Sequence, residues 1–357
     1  MSDKCIFIIS SFKEPNVDAV ISILEKRHIH WFRFNTETFP LVSRIQLRCD
    51  TSGDYFSTIS VDNKYVDTRE VTAVWNRRVG GFVLPEGLSE QDKGFVRSEC
   101  VALVSSVYTS LTCPWVNPVY SEHMSGPKSY QLVVATELGI SVPRTLVTND
   151  PSAAIDFFDH NPKTLFKVVS GVSQITEPIF SQQLQTTYSD KFALSPEPAN
   201  QRRSSRRTVF SRILTPERLE KVASIAGCPV VFQQYVEKSL ELRITIVGND
   251  IFAAEIHSQE LEETKVDFRR MDFAPGHRTV PTHRVHILPS DIATKLLLLM
   301  KRLDLVFGCV DMILTPEGDY VFLEVNPSGQ WNWIEVLTGM KITEALVDVL
   351  INPPLSD

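Results

Sequence analysis

"FLEVNPSGQWNWIE", residues 322–335, sets two polar groups, Glu324 and Asn326, in an otherwise apolar run just before Pro327. Side chains two apart in a strand share a face, and carboxylates are almost never fully buried without a partner. Something must therefore compensate Glu324. The runs "CVDMIL" (309–314) and "YVFLEVN" (320–326) flank the turn "PEGD", with Pro316 and Gly318 at turn-favoured places. A four-residue loop pairs Thr315 with Tyr320, and counting outward sets Asp311 opposite Glu324. Carboxylates opposed across strands repel each other, and burial makes that worse. Asp311, Glu324 and the amide oxygen of Asn326 are together hard oxygen ligands, suited to Mg²⁺ that also holds phosphate oxygens. The alternative is an edge hairpin that turns both acids to solvent; the apolar flanks argue against it.

Two lysines upstream are as misplaced as the acids. Lys167 sits inside "LFKVV" (165–169), a short run that reads as a buried strand. A buried ammonium needs an anion or loses its charge. Lys128 opens the helical stretch "GPKSYQLVVATELG" (126–139), where the helix dipole disfavours a cation. A lone misplaced lysine usually snorkels to solvent; two of them, upstream of an acidic hairpin, suggest the phosphates of a nucleotide. In "ELRITIVG" (241–248), Glu241, Arg243 and Thr245 share one face and Leu242, Ile244 and Ile246 the other. Arg243 thus points away from the core toward a phosphate or carboxylate, unless it forms only a surface pair with Glu241.

The chain around these residues is of ordinary globular composition, 43% hydrophobic and 22% charged. Its 357 residues suit two or three domains. A net charge of −7 argues against non-specific nucleic-acid binding. Six scattered cysteines without a C-x-x-C pair read as reduced core residues. "KCIFIIS" is too short for a signal-peptide core and "LLLLM" for a membrane span, so a cytoplasmic protein without a membrane partner is expected. "KCIFIIS" (4–10), "NVDAVISILEKRH" (16–28) and "HWFRFN" (30–35) read as strand, helix, strand, opening an α/β sheet. "RIQLRC", "YFSTISV" and "EVTAVWNRR" then read as a meander, and 89–111 as a helix capped by Ser89. A second unit starts near Tyr120 and a third near Val230. Residues 181–208 lose periodicity and gather Ser, Gln, Pro and Arg, as a mobile loop does. No Walker-type glycine motif and no H-E-x-x-H zinc motif is present.

The order Lys128, Lys167, "VFQQYVEKSLELRITIVG" (231–248), Asp311 and "FLEVNPSGQW" (322–331) resembles an ATP-grasp ligase over about residues 115–345. Within that superfamily, "AVWNRR" (73–78), "GISVPRTLVTND" (139–150), "FAAEIHSQ" (252–259) and "VDFRR" (266–270) are most similar to the microviridin-type, or graspetide, peptide macrocyclases. The resemblance implies an α/β (α+β) chain with a pre-ATP-grasp domain over 1–119, a central subdomain over 120–229 and a C-terminal subdomain over 230–357. ATP is then expected in the cleft between the last two. It implies that Lys128 and Lys167 contact ATP phosphates, that Gln233, Gln234, Tyr235 and Val236 offer backbone groups to adenine, and that Glu241 lies near the ribose. Asp311, Glu324 and Asn326 would hold two Mg²⁺, with Arg243 and Lys167 acting on the transferred phosphoryl. The family's Asp-x-Arg signature matches Asp267 and Arg269, which there engage the core peptide. Gly171 is the candidate for the family's phosphate-covering loop.

The activity so implied is ligation of a carboxylate through an acyl phosphate. Asp or Glu side chains of a ribosomal precursor peptide, leader plus core, would be joined to Thr/Ser hydroxyls or Lys amines, making a macrocycle. A homodimer is compatible with that class. One alternative is a ligase that adds a free amino acid to a peptide or protein, of the glutathione-synthetase or ribosomal-protein glutamate-ligase type. Another is a non-catalytic nucleotide- and peptide-binding protein, which the intact set of lysines and acids argues against.

Overall fold

The computed structural model describes residues 5–12, 14–51, 53–169, 212–270 and 280–353. The expected loop over 181–208 and Gly171 lie outside them. The described residues form two compact units, one reaching to Val116 and including the stretch from Leu346, the other running from Asn117 to Ala345.

In the first unit, β1 (Cys5–Ser10) is buried along its whole length. A strand covered on both faces can be a continuous apolar run, as "CIFIIS" is. The helix Pro15–Lys26 starts on a proline and buries Val17, Val20 and Leu24, at helical spacing. It returns the chain to β2 (His30–Asn35), parallel to β1. β3 (Arg44–Cys49), β4 (Tyr55–Val61) and β5 (Lys64–Asp67) form a separate antiparallel sheet. The expected meander is thus corrected in one respect. β6 (Val71–Asn76), from "EVTAVWNRR", leaves it and lies parallel to β1 on the side away from β2, followed by the short β7 (Trp115–Val116). Four successive buried residues, Ala73–Asn76, explain the switch, since β3 and β4 alternate instead. The helix Glu90–Ser110 begins as expected, with Ser89 Oγ accepting from the Asp92 amide at 3.1 Å.

The second unit carries two antiparallel sheets. β8 (Thr145–Thr148), β9 (Thr164–Val168), β10 (Arg212–Ile213) and β11 (Val230–Gln234) are ordered β10-β9-β11-β8. Ala154, Phe157 and Phe158 of the helix Pro151–His160 pack on Phe166 and Phe232 of that sheet. β12 (Leu240–Val247), β13 (Asp250–Ile256), β14 (His283–His286), β15 (Phe307–Leu314) and β16 (Tyr320–Asn326) are ordered β14-β13-β12-β15-β16. Leu242, Ile244 and Ile246 enter the main core, which the helices Lys128–Glu137 and Ser290–Arg302 cover with Leu132, Leu296 and Leu299.

The hairpin β15–β16 sets Asp311 opposite Glu324 as expected, but by a different count. Leu314, not Thr315, pairs with Tyr320, and Thr315 closes the turn by donating its amide to the Asp319 carbonyl at 3.0 Å. A bulge between Asp311 and Met312 then makes up the one-residue difference, leaving Leu323 as the extra residue. All six cysteines are free thiols, as expected, but only Cys5, Cys100 and Cys309 are buried; Cys49 and Cys228 are exposed. No helix among the described residues is long and apolar enough to cross a membrane.

Candidate active site

The two sheets of the second unit enclose a cleft that gathers most of the expected site residues. On its acidic wall stand Asp311 and Glu324, facing each other across β15 and β16. Glu324 ion-pairs with Lys128, at the first position of its helix. Asp311 accepts from Arg243 Nη1 at 2.8 Å and from Asn326 Nδ2 at 3.1 Å. Burial and the facing Glu324 push the Asp311 carboxyl up, against the pull of Arg243. Burial also opposes the charge on Glu324, but Lys128 outweighs it, with Lys167 and Arg269 adding to the effect, and holds that carboxyl below its usual range. The pair is thereby pushed apart, with the negative charge concentrated on Glu324.

On the opposite wall, Lys167 projects from β9 and donates to Gln233 Oε1 of β11 at 2.6 Å. Gln233 is held in turn by Thr145, at 2.9 Å. Burial brings the Lys167 ammonium down to about 8, with Glu324 partly restoring it. An amine so poised is charged at neutral pH only against a desolvation cost, which an anion in the cleft would offset.

Gln234, Tyr235 and Val236, also lining the cleft, join the two sheets. The Gln234 and Tyr235 amides already donate to Arg144 and Lys163 carbonyls, at 2.8 and 2.7 Å. Val236 N–H has no backbone partner among the described residues and is the donor of this segment that can serve a ligand. Glu241 lines the same cleft, 7% exposed, and is paired with Lys238 at 2.6 Å. The proposed surface pair of Arg243 with Glu241 is therefore absent: each has another partner.

Arg243 and Asn326 stand behind the wall rather than in it. Arg243 is 7% exposed, with Nη1 on Asp311 and Nη2 donating to the Gln330 carbonyl at 3.0 Å. Arg243 lies directly opposite Asp311 of β15, which engages its guanidinium. Asn326 turns its amide nitrogen to Asp311, so its carbonyl oxygen is the atom left for a cation. Asp267 and Arg269 reach the cleft on the segment after β13. Arg269 grips Asp267 bidentately, at 2.8 and 2.7 Å, with Asp267 buried and Arg269 half-exposed.

Other positioning residues carry no sequence signal. Gln131 donates to the Ser125 and Val325 carbonyls and accepts from the Val325 amide, tying the Lys128 helix to β16. Asn117 accepts from the Val306 and Phe307 amides and donates to the Phe307 and Pro327 carbonyls. Both clamps act across about 190 positions of chain, and an isolated Gln or Asn reads as surface. Trp331 is buried, with Nε1 donating to Thr343 Oγ1 at 3.0 Å. Trp333 instead stacks on Phe268, at a ring separation of 6.1 Å, and meets His283 edge-on.

Opposed carboxylates backed by an amide and flanked by Lys128, with Lys167 on the facing wall, give one cleft both acidic and basic groups. Residues 6–123 match the MvdD pre-ATP-grasp domain family. The whole chain is similar to the macrocyclase MdnC of Microcystis aeruginosa MRC, solved bound with precursor peptide MdnA (29% identity, 98% of this chain, 99% of that one, TM-score 0.78). It is also similar to a RiPP-associated ATP-grasp ligase of Chryseobacterium gregarium, solved with ADP and a leader and core peptide (25% identity, 99% and 98%, TM-score 0.81). Macrocyclase MdnB of Microcystis aeruginosa MRC gives 27% identity over 98% and 99%, with a TM-score of 0.76. No curated protein matches the sequence. The chain has the ATP-grasp ligase fold of graspetide type, with a pre-ATP-grasp domain at its N-terminal end.

Proposed function

We propose that this chain is an ATP-dependent ligase that macrocyclises a ribosomally made precursor peptide. The observation that carries the reading is the shared cleft, where the Asp311–Glu324 pair, Lys128, Lys167 and the Asp267–Arg269 pair line one space. The chain's similarity to a macrocyclase solved with its precursor peptide and to an ATP-grasp ligase solved with a leader and core peptide supports a peptide as the substrate. Lys128 and Lys167 neutralise the phosphates of ATP, Val236 N–H and neighbouring backbone meet adenine, and Glu241 accepts from the ribose.

Among the described residues no group of three or more His, Cys, Asp or Glu forms a cation site on its own. Two carboxylates and an amide nonetheless fit Mg²⁺, because that ion keeps part of its shell from water and substrate phosphates. Asp311, Glu324 and Asn326 would hold it, and it would draw charge from the transferring phosphoryl group. Two such ions are proposed, with Arg243 fixing Asp311 as their ligand.

In the step so supported, a carboxylate oxygen of an Asp or Glu side chain attacks the γ-phosphorus of ATP. ADP leaves and an acyl phosphate forms. A Thr/Ser hydroxyl or Lys amine then attacks the acyl carbon, losing its proton as inorganic phosphate departs, and an ester or amide closes the ring. Arg269 holds the substrate carboxylate in line, where a guanidinium can bind bidentately. The test is mass spectrometry of the chain with Mg-ATP and the short Thr- and Glu/Asp-rich peptide encoded beside its gene. Loss of water from the peptide without any added amino acid is expected. Turnover that requires a free amino acid, with no loss of water from the peptide, would instead point to an amino-acid ligase.

A further inference from the structure

Lys238 is a buried lysine, 8% exposed, in the segment that joins the two sheets. It is not among the residues assigned above to nucleotide, metal or peptide. Its ammonium donates in two directions at once. One bond, 2.6 Å, goes to Oε1 of Glu241, which faces the nucleotide cleft. The other, 3.2 Å, goes to the carbonyl of Val266, the residue before Asp267. Val266 belongs to the segment that carries the Asp267–Arg269 pair, and the Arg269 amide donates to Asp267 Oδ1 at 3.1 Å. A single ammonium thus joins the carboxylate of the nucleotide side to the backbone of the peptide side.

We propose that Lys238 is a positioning residue through which nucleotide binding orders the Asp267–Arg269 segment for its peptide carboxylate. This rests on the nucleotide reading of the cleft given above. The chemistry follows from the two bonds. A nucleotide hydroxyl that donates to Glu241 fixes the carboxylate in one orientation. Lys238, whose ammonium already donates to Glu241 and the Val266 carbonyl, follows it, because a buried ammonium left unpaired is costly. Its second bond then holds the Val266 carbonyl, and the adjoining Asp267 and Arg269 are set before a peptide arrives. Pre-ordering of this kind lets a first ligand meet the ordering cost of the second, which is positive coupling without a large movement.

The test needs no peptide. Amide hydrogen exchange of the segment 264–270 is followed with and without saturating Mg-ADP, in the unmodified chain, in Lys238→Met and in Lys238→Arg. Calorimetry with Mg-ADP establishes that nucleotide is bound in each. In the unmodified chain, Mg-ADP is expected to slow exchange at the Arg269 amide by at least about fivefold. Lys238→Met keeps the stem and deletes both bonds, so it should still bind Mg-ADP at a raised concentration while that slowing disappears. Lys238→Arg keeps a charge and several donors and should restore at least part of it, which a merely structural loss in Lys238→Met would not allow. Equal slowing in Lys238→Met and the unmodified chain, or none in either at saturation, would overturn the inference while leaving the ligase reading intact. Failure of the unmodified chain to bind Mg-ADP at all would overturn the nucleotide reading and this inference with it.

Discussion

Charge at single residues decides how this cleft treats a nucleotide. Lys167 gives the clearest pH signature. Its ammonium is held down to about 8 by burial, and phosphates beside it would raise that value again. The bound form therefore takes up a proton above pH 8. Nucleotide affinity should be nearly flat below pH 8 and fall by up to about tenfold per pH unit above it. Stability without ligand runs the other way. The unfolded chain holds the proton that the folded chain has lost, so the Lys167 contribution improves as pH rises from about 8 toward the ordinary lysine value. Lys167→Met should flatten the affinity profile and weaken Mg-ATP by at least about tenfold, or about 1.4 kcal/mol, by calorimetry. An unchanged affinity with the same pH slope would remove Lys167 from the phosphate site. Glu324→Gln loses the charge paired with Lys128 but keeps an acceptor for it and relieves both the burial cost and the repulsion from Asp311, so these opposing effects should leave the fold intact in denaturant melts. It also removes a ligand charge, and ADP release should fall by at least about a hundredfold. Near-normal release would sink the metal assignment.

At the scale of elements, the site depends on how closely the turn after β16 approaches β15. A Cβ on Gly329 would lie 2.4 Å from Cys309 Cβ and 2.9 Å from Arg243 Nη2. Cys309 Cβ is fixed to the strand, so the turn itself must shift. Gly329→Ala should cost about 1–3 kcal/mol and loosen the Arg243–Asp311 contact, lowering turnover as well as the melting temperature. Full activity with an unchanged melting curve would show that the turn has room to spare. The strand alternation of "ELRITIVG" was readable because β12 is buried on both faces but polar on only one. The Asp311–Glu324 opposition was also readable, although the route to it was not. A bulge at Leu323 leaves no mark in composition, and only the compensating shift in the turn preserved the pairing. The helix Pro151–His160 did carry a start signal, Asp150 accepting from the Ser152 amide before a first-turn proline. Its brevity and its run of aromatic residues concealed it. Arg243 was legible only in part. Alternation tells which face of β12 it leaves by, but not that Asp311 on the next strand would intercept it before the cleft.

For the whole molecule, the claim is that one cleft holds Mg-ATP and the acid end of a peptide through different residues. The proposed nucleotide set lies on the helix Lys128–Glu137, β9, β11, the segment joining the two sheets, β12, β15 and β16, whereas Arg269 sits on the segment after β13. Arg269→Ala should therefore abolish ring closure while Mg-ADP affinity stays within about threefold of the unmodified chain. A normal rate of ring closure by that variant would reduce the Asp267–Arg269 contact to an internal salt bridge. Aromatic support should matter less. Trp333→Phe retains a ring against Phe268 and should raise the KM for peptide with little effect on the KM for ATP, which steady-state kinetics would separate. Most direct of all is the stoichiometry of the unmodified chain with its precursor peptide, Mg-ATP and no other carboxylic acid or amine. Quantifying ADP beside the peptide's mass loss should give one ADP for each water lost, with the product resistant to unfolding into a linear mass ladder under fragmentation. ADP formation with an intact, unchanged peptide, or water loss without ADP, would contradict the account.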